Sequence, residues 1–194
     1  MNAPTTDELD AQEMRRLAEG YEPALNNLME RHAEKLFRYL VRCLRDESDA
    51  ADLAQEAFVK LYQNRSRFDT RQRFTTWLYA IATNLVKDRY RWRSRHPQIS
   101  LDAQNETTGG TYGEALPQND LLPADHVEAR ERAAAVRRAV GALPEELRQP
   151  LILAEYEERS HAEIGAILGC TAKAVETRIH RARQQLRSHL KSVL

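Results

Sequence analysis

The stretch FTTWLYAIATNLVKDRYRWRSR runs from Phe74 to Arg95, and its apolar residues recur every three or four positions. At about 100° per residue, such a repeat places aliphatic side chains on one side of a helix and polar ones on the other. The aliphatic side comprises Leu78, Ile81, Ala82, Leu85 and Val86, and the opposite side comprises Thr76, Ala80, Thr83, Asn84, Lys87 and Arg91. The stretch therefore predicts one amphipathic helix whose aliphatic side is buried in a core.

The end of this helix is rich in cations and aromatic rings. Its last nine residues hold five cations, Lys87, Arg89, Arg91, Arg93 and Arg95, with Tyr90 and Trp92 between them. Like charges four residues apart repel one another by a few tenths of a kcal/mol per pair. Phosphates would neutralise them, and unstacked bases would stack on the rings. The pattern suggests nucleic-acid binding, and a solvated helix end with arginines near its C-terminal dipole explains it equally well.

Length and composition exclude several classes of protein. The 194 residues include 29 basic and 29 acidic side chains, a net charge of zero that argues against a uniformly basic nucleic-acid coat. Cys43 and Cys170 lie far apart without a ligand cluster, so neither a disulfide framework nor a zinc site is expected, and no cofactor is predicted. The N-terminus lacks the apolar segment of a secretory signal, and no apolar run approaches about 20 residues. We expect a cytoplasmic chain without membrane insertion.

Helical periodicity extends through most of the chain and predicts an all-α fold. A first helix is predicted from about Asp7 to Glu19. Pro23 suits the start of a long second helix that reaches about Leu44. Ser48 is predicted to cap a third helix that reaches about Gln63.

The third predicted helix has an acidic outer face. This face consists of Asp49, Asp52, Gln55 and Glu56, with the apolar Val59 among them. Asp52 and Glu56 are like charges four residues apart, beside an apolar side chain that should be exposed. A partner with basic groups and an apolar contact would explain the face, and so would simple solvation.

A change of composition divides the chain. Residues 97–129 contain no lysine or arginine, and glycines, prolines and acidic residues interrupt any periodicity. We predict an N-terminal tail with a short helix over residues 1–20, a helical domain over 21–96, a flexible acidic linker over 97–125 and a second helical domain over 126–194. The linker is either merely solvated or lies in a basic channel of a partner.

The second domain carries the pattern of a helix-turn-helix. Helices are predicted from about His126 to Val140 and from about Leu143 to Glu157. SHAE at residues 160–163 forms a capping box that opens a short helix, Gly169 ends that helix, and Thr171 can cap the last one. Two helices joined by a turn of about three residues with a glycine are typical of this motif.

The last helix has a polar face opposite its apolar stripe. Its members are Lys173, Thr177, His180, Arg181 and Gln184, flanked by Glu176, Arg178 and Arg183. In a DNA-binding motif the start of this helix meets base edges, which makes Lys173, Glu176 and Thr177 candidates for base reading. Arg178, Arg181 and Arg183 suit phosphates. The alternative is a structural helical hairpin with a charged outer face.

Four segments together resemble one family. They are DAADLAQEAFVKLY (Asp49–Tyr62), FTTWLYAIATNLVKDRYR (Phe74–Arg91), ALPEELRQPLIL (Ala142–Leu153) and the run from Ser160 to Leu186. In this order they resemble bacterial RNA polymerase sigma factors of the extracytoplasmic-function (ECF) group, over about residues 21–190. The resemblance implies two small helical domains, one that melts the promoter and one with the helix-turn-helix, joined by a flexible linker.

The resemblance also implies roles for the surfaces described above. The core-polymerase-binding residues would be Asp49, Asp52, Gln55, Glu56 and Val59, which dock on the β′ clamp helices. The minus-ten DNA-binding residues would be Phe68, Phe74, Thr76, Trp77, Thr83, Asn84, Lys87 and Arg91, with Asn84 near a flipped base. The minus-thirty-five DNA-binding residues would be Lys173, Glu176, Thr177, Arg178, His180, Arg181 and Arg183. The β flap and an anti-sigma factor are further implied partners, and the linker would run through channels of the polymerase.

Glu176 departs from the family pattern. It stands where many relatives carry a basic residue, so no promoter consensus can be transferred.

Two other functions are possible on sequence alone. A stand-alone helix-turn-helix regulator would need a dimerisation or effector module, and residues 4–63 show none. An enzyme is disfavoured: His161 and Glu163 lack H-E-x-x-H spacing, and neither a phosphate-binding glycine loop nor a nucleophile elbow occurs.

Overall fold

The computed structural model describes residues 4–96 and 123–191, with the side chains of 123–129 excepted. Every regular element in these ranges is helical, which confirms the predicted all-α fold. The helices are α1 (Thr6–Ala18), α2 (Pro23–Leu44), α3 (Glu47–Gln63), a short 3-10 helix (Arg65–Arg67), α4 (Phe74–Arg95), α5 (Pro123–Ala142), α6 (Glu145–Glu155), α7 (His161–Leu168) and α8 (Ala172–Lys191). Residues 97–122, most of the predicted linker, lie outside the described residues.

Helices α1 to α4 form the first domain around a common core. The opening stretch forms α4, as predicted, and Leu78, Ala82, Leu85 and Val86 are buried in it. Helices α2 and α3 pack side by side, and Arg45 turns the chain between them in the left-handed region at φ 58°. The prediction that Ser48 caps α3 was wrong, because the side chain of Asp46 accepts the hydrogen bond from the Asp49 amide.

Helices α5 to α8 form the second domain, with the predicted helix-turn-helix in α7 and α8. Ser160 and Glu163 form the capping box of α7, and Gly169 ends that helix at φ 68°, where glycine has no steric penalty. A Cβ on Gly165 would come within 2.6 Å of the Cys170 carbonyl oxygen, so the close turn depends on this glycine. Thr171 accepts a hydrogen bond from the Ala174 amide and thereby caps α8.

The two domains are in direct contact, with α7 packed on α4 and α6 packed on α2. The buried guanidinium of Arg148 donates to the Cys43 carbonyl and to the Tyr90 hydroxyl, each at 2.7 Å. Tyr79 donates to a carboxylate oxygen of Glu157 at 2.6 Å. Burial raises the pKa of the Tyr79 hydroxyl well above its ordinary value, so this hydroxyl stays a donor.

Candidate nucleic-acid interface

The outer face of α3 is divided between exposed and engaged residues. Asp52, Gln55 and Glu56 are exposed, and the apolar side chain of Val59 among them is 46% exposed. Glu56 lies 3.4 Å from Lys60 in an exposed pair one turn away. These four residues, which we call the α3 surface, present two carboxylates and an apolar group to solvent.

Asp49 differs from the other members of this predicted face. Its side chain is only 17% exposed and accepts hydrogen bonds from both Arg89 and Arg93 of α4. Arg93 also lies 3.3 Å from Asp46, the N-cap of α3. Arg89 and Arg93, two of the five cations at the end of α4, are therefore engaged inside the domain by carboxylates of α3.

The polar side of α4 is mostly accessible, with one exception. Asn84 and Arg91 are exposed, and Thr76 and Lys87 are half-buried. The prediction that Thr83 lies on this side was wrong: it is fully buried, and its hydroxyl lies 3.1 Å from the hydroxyl of Tyr39. Its position borders the aliphatic side, and the hydroxyl of a tyrosine on α2 supplies a partner within the core.

Two other cations of α4 face the second domain. Lys87 and Arg91 line a cavity of about 260 Å³ together with Glu145 and Gln149 of α6 and Arg178 of α8. Burial raises the pKa of Glu145, although Lys87 and other nearby cations oppose that shift. The cavity therefore brings cations of both predicted DNA-binding helices near carboxylates of α6.

The predicted minus-ten aromatic residues form a cluster around the segment of residues 68–74, which we call the minus-ten loop. Phe74 is almost fully buried, whereas Phe68 and Trp77 are half-buried. The ring centroids of Phe68 and Trp77 are 5.2 Å apart, and those of Phe68 and Phe74 are 6.3 Å apart. Phe74 is thus a core residue that shapes the loop, and Phe68 and Trp77 present only part of their surface.

The polar tip of this loop contains a turn that was not predicted. Asp69 accepts hydrogen bonds from the Arg71 backbone and guanidinium, which lowers the pKa of its carboxyl to about 2. Residues 69–73 are exposed. An aspartate followed two residues later by an arginine, just before a helix, was the signal that could have identified this turn.

Helix α8 presents its predicted face to solvent. Lys173, Glu176, Thr177, His180 and Arg181 are exposed. Lys173 Nζ lies 2.9 Å from a carboxylate oxygen of Glu176, and this hydrogen bond lowers the pKa of the Glu176 carboxyl. The helix start therefore offers a lysine and a glutamate as one paired unit.

Two arginines of α8 have partners in the second domain. Arg183 pairs with Glu155 of α6 at 2.6 Å in an exposed contact, and half-buried Arg178 reaches the sulfur of Cys170 at 3.6 Å. Arg181 is exposed on the same helix. It is thus presented more openly to a phosphate than Arg178.

Comparison with known proteins accounts for both domains. The family described as Sigma-70 region 2 matches residues 28–96, and Sigma-70, region 4 matches residues 133–186. The ECF RNA polymerase sigma factor SigW of Bacillus subtilis (strain 168) is 34% identical over 181 residues, which cover 93% of this chain and 96% of SigW. The chain belongs to the ECF sigma factors of bacterial RNA polymerase. The family inferred from the four sequence motifs is thereby confirmed.

Another relative supports this assignment, and two solved structures share the fold. The ECF RNA polymerase sigma-E factor of Escherichia coli (strain K12) is 34% identical and is matched over 88% of both chains. The solved structure of CnrH in complex with the cytosolic domain of CnrY has a TM-score of 0.67 and 26% identity, covering 95% of this chain and 99% of CnrH. The sigma factor RpoE of Bartonella quintana, solved with the anti-sigma factor NepR, shares the fold at a TM-score of 0.66 and 22% identity, covering 86% of this chain and 96% of RpoE.

As a sigma factor the protein acts in transcription initiation, with promoter recognition through regions 2 and 4, as predicted. The matches to both domains leave nothing that favours a stand-alone regulator. Within residues 4–96 and 123–191, no helix has the length and apolar character needed to cross a bilayer.

Proposed function

We propose that this sigma factor docks on core RNA polymerase through the α3 surface, captures the minus-ten element with α4 and its loop, and reads the minus-thirty-five element with α8. The α3 surface is the single observation that carries the proposal. Asp52 and Glu56 are exposed on it, Glu56 pairs within α3 with Lys60, and Val59 is exposed beside them. A basic partner surface with an apolar contact, such as the β′ clamp helices, fits that combination.

Asp49 has a different role in this proposal from the one that the sequence predicted. Its carboxylate is engaged by Arg89 and Arg93, so a partner would first have to displace two charged hydrogen bonds. We assign Asp49 to the link between α3 and α4. Docking is assigned to Asp52, Gln55, Glu56 and Val59.

For promoter melting, the proposal places Asn84 beside a base that has left the stack. Asn84 is exposed on α4, with Lys87 and Arg91 following at one-turn spacing. Amide groups can hydrogen-bond a base edge, and the two cations suit the phosphates on either side of it. Thr76, Phe68 and Trp77 border the same region, whereas Thr83 and Phe74 support it from within the core.

For the minus-thirty-five element, α8 is the proposed reading helix, with Lys173, Glu176, Thr177 and His180 toward base edges. Arg181 is the foremost phosphate contact, and Arg178 and Arg183 assist it. The second domain would rest on the β flap. CnrH was solved with the cytosolic domain of CnrY and RpoE with an anti-sigma factor, which supports an anti-sigma factor as a partner of this chain too.

The protein would contribute recognition and melting but no bond chemistry of its own, since the polymerase supplies the catalytic centre. The protein would then act in the cytoplasm, where the polymerase and the promoter lie. No cofactor enters this proposal.

The decisive experiment is co-purification of core polymerase with the double charge reversal Asp52→Lys and Glu56→Lys. The exposed side chains can be changed without altering the core, so a normal circular dichroism spectrum and loss of holoenzyme are expected. Glu19→Lys with Glu131→Lys is the matched control, because both residues are exposed and the net charge changes equally. Normal holoenzyme formation by the Asp52 and Glu56 variant would refute the docking assignment.

A further inference from the structure

Helix α1 places a carboxylate in the core of the first domain. Its buried side consists of Asp10, Met14 and Leu17, and the side chain of Asp10 is 0% exposed. Removing a carboxylate from water costs several kcal/mol unless partners compensate. An apolar side chain would avoid this cost at the same position, so the role of the carboxylate is to be found in the polar side chains that it contacts.

Asp10 holds a histidine of the neighbouring helix. His32 Nε2 of α2 lies 2.7 Å from Asp10 Oδ2, and because a carboxylate can only accept, the imidazole donates. The other oxygen of Asp10 lies 3.1 Å from Arg31 Nε, at ion-pair distance but without an aligned hydrogen bond. His32 is itself buried, so this bond fixes the orientation of its ring.

The oriented histidine lies against the minus-ten loop. The ring centroids of His32 and Phe74 are 5.0 Å apart, with an angle of 48° between the planes. Phe74 is the last residue of the loop, and its ring meets that of Phe68, the first residue, nearly edge to face. A continuous series of contacts thus leads from Asp10 on α1 to both ends of the loop.

A second link joins α1 to the loop at the surface. Asp7 of α1 pairs with Arg73 at 3.1 Å, and Arg73 also pairs with Glu163 of α7 at 2.7 Å. Helix α1 also packs against the short 3-10 helix that precedes the loop. The tip between these attachments, residues 69–72, is exposed. The loop is therefore fixed at its ends and accessible at its centre.

We propose that α1 positions the minus-ten loop for base recognition, with Asp10 and His32 as its buried positioning residues. This inference rests on the proposed assignment of the loop to the minus-ten element. Helix α1 precedes residues 28–96, the segment that region 2 matches, so the family match alone does not assign this role. A buried carboxylate with its polar partners is seldom more stable than apolar side chains of similar size, but it can specify one arrangement. Recognition of a flipped base needs such a fixed arrangement.

The test separates positioning from stability with the double variant Asp10→Leu and His32→Leu. It replaces the buried pair by apolar side chains, and Arg31, which is 27% exposed, can turn to solvent. Holoenzymes are reconstituted on a promoter selected from a random library with the wild-type protein, and affinities are measured for that promoter and its single-base minus-ten variants. A single wrong base pair commonly weakens binding by about tenfold or more. We expect the double variant to reduce this discrimination to about twofold, while its urea midpoint, its core binding and its discrimination at the minus-thirty-five element stay unchanged.

Two further variants complete the design. Asp10→Asn retains an acceptor for His32 and should restore most of the minus-ten discrimination, and Met14→Leu, on the same buried stripe, is the control for packing. Undiminished minus-ten discrimination in a folded double variant would overturn the proposal. If that variant does not fold, Asp7→Asn combined with Glu163→Gln decides instead, with Glu163→Gln alone as its control. Arg73 pairs with both carboxylates, so only the combined variant frees it. Discrimination equal to that of the control would overturn the proposal. A wild-type holoenzyme without any minus-ten preference would refute the proposed function, a different result.

Discussion

The substitution Asp49→Ala tests whether this carboxylate supports the fold or the polymerase interface. The side chains of Asp49 and Arg89 are 17% and 26% exposed, so water screens their hydrogen bond only partly. A hydrogen bond to a charged group contributes about 1.5–3 kcal/mol when it is partly buried, whereas the more exposed contact with Arg93 contributes well under about 1 kcal/mol. Asp49 also lies in the first turn of α3, where a negative charge adds about 0.5 kcal/mol. We expect Asp49→Ala to lower the free energy of unfolding by about 2 kcal/mol.

Urea unfolding followed by circular dichroism gives this difference directly, and thermal melting should show a fall of about 4–8 °C if the chain melts as one unit. The matched control is Asp52→Ala one turn along α3, since Asp52 is exposed and its loss should change stability by no more than about 0.5 kcal/mol. Core binding should respond in the opposite order, with Asp52→Ala weakening it more than Asp49→Ala under conditions where both are folded. Equal stability of the two variants, or a greater loss of core binding by Asp49→Ala, would show that the division of this face is wrong.

Four other outcomes follow from the same contacts. Thr83→Val removes the hydroxyl partner of buried Tyr39 and leaves it only the Cys43 thiol, so the urea-derived unfolding free energy should fall by about 1 kcal/mol. Asn84→Ala should impair open-complex formation, measured by permanganate reactivity of unpaired thymines, more than closed-complex binding in gel shifts; equal losses would argue against a role in melting. Arg181→Ala should weaken holoenzyme binding to minus-thirty-five variants uniformly and reduce the salt slope by about 1 unit, and a change in sequence preference would instead indicate base reading. Hydrogen bonds at the N-cap of α7 hold the pKa of Glu163 below its ordinary 4.5, so its stabilisation is present above that pH and is lost as the pH falls through the lowered value; Glu163→Gln should remove this part of the acid sensitivity in pH-dependent melts.

Local patterns were sufficient to predict most helices because the deciding interactions lie close together in sequence. Pro23, the Ser160 capping box and the apolar repeat of α4 each specify an element within one or two turns. The start of α3 was misplaced because Asp46 and Ser48 are both good N-caps, and only the backbone decides which one accepts the amide hydrogen bond. The contact of α7 with α4 and of α6 with α2 joins residues about 60 or more positions apart, and no periodicity encodes it.

The candidate site was predicted at the level of helix faces but not of single side chains. Thr83 sits where the polar and aliphatic sides of α4 meet, and a hydroxyl 44 residues away decides that it is buried. In the sequence, Asp49 likewise resembles the other acidic residues of α3, and only its hydrogen bonds from Arg89 and Arg93 of α4 distinguish it. Asp10 was missed because an aspartate in a polar N-terminal helix suggests solvation, and the histidine that binds it lies 22 residues further on.

The cations of α4 show why their number in the sequence overstates the DNA-binding charge. Lys87, Arg91 and Arg95 form one series at four-residue spacing, and Arg89 and Arg93 form a second series. The second series is offset from the first by two residues, which corresponds to a rotation of about 200° around the helix axis. The two series therefore point to opposite sides. Carboxylates of α3 neutralise the second series, so its charge attaches one helix of the domain to another. Only the first series lies on the side of Asn84, and the repulsion within it is the part that phosphates can relieve. One helix thus holds the domain together through one face and presents cations for DNA binding on the other, and its 22 residues are long enough to carry both sets.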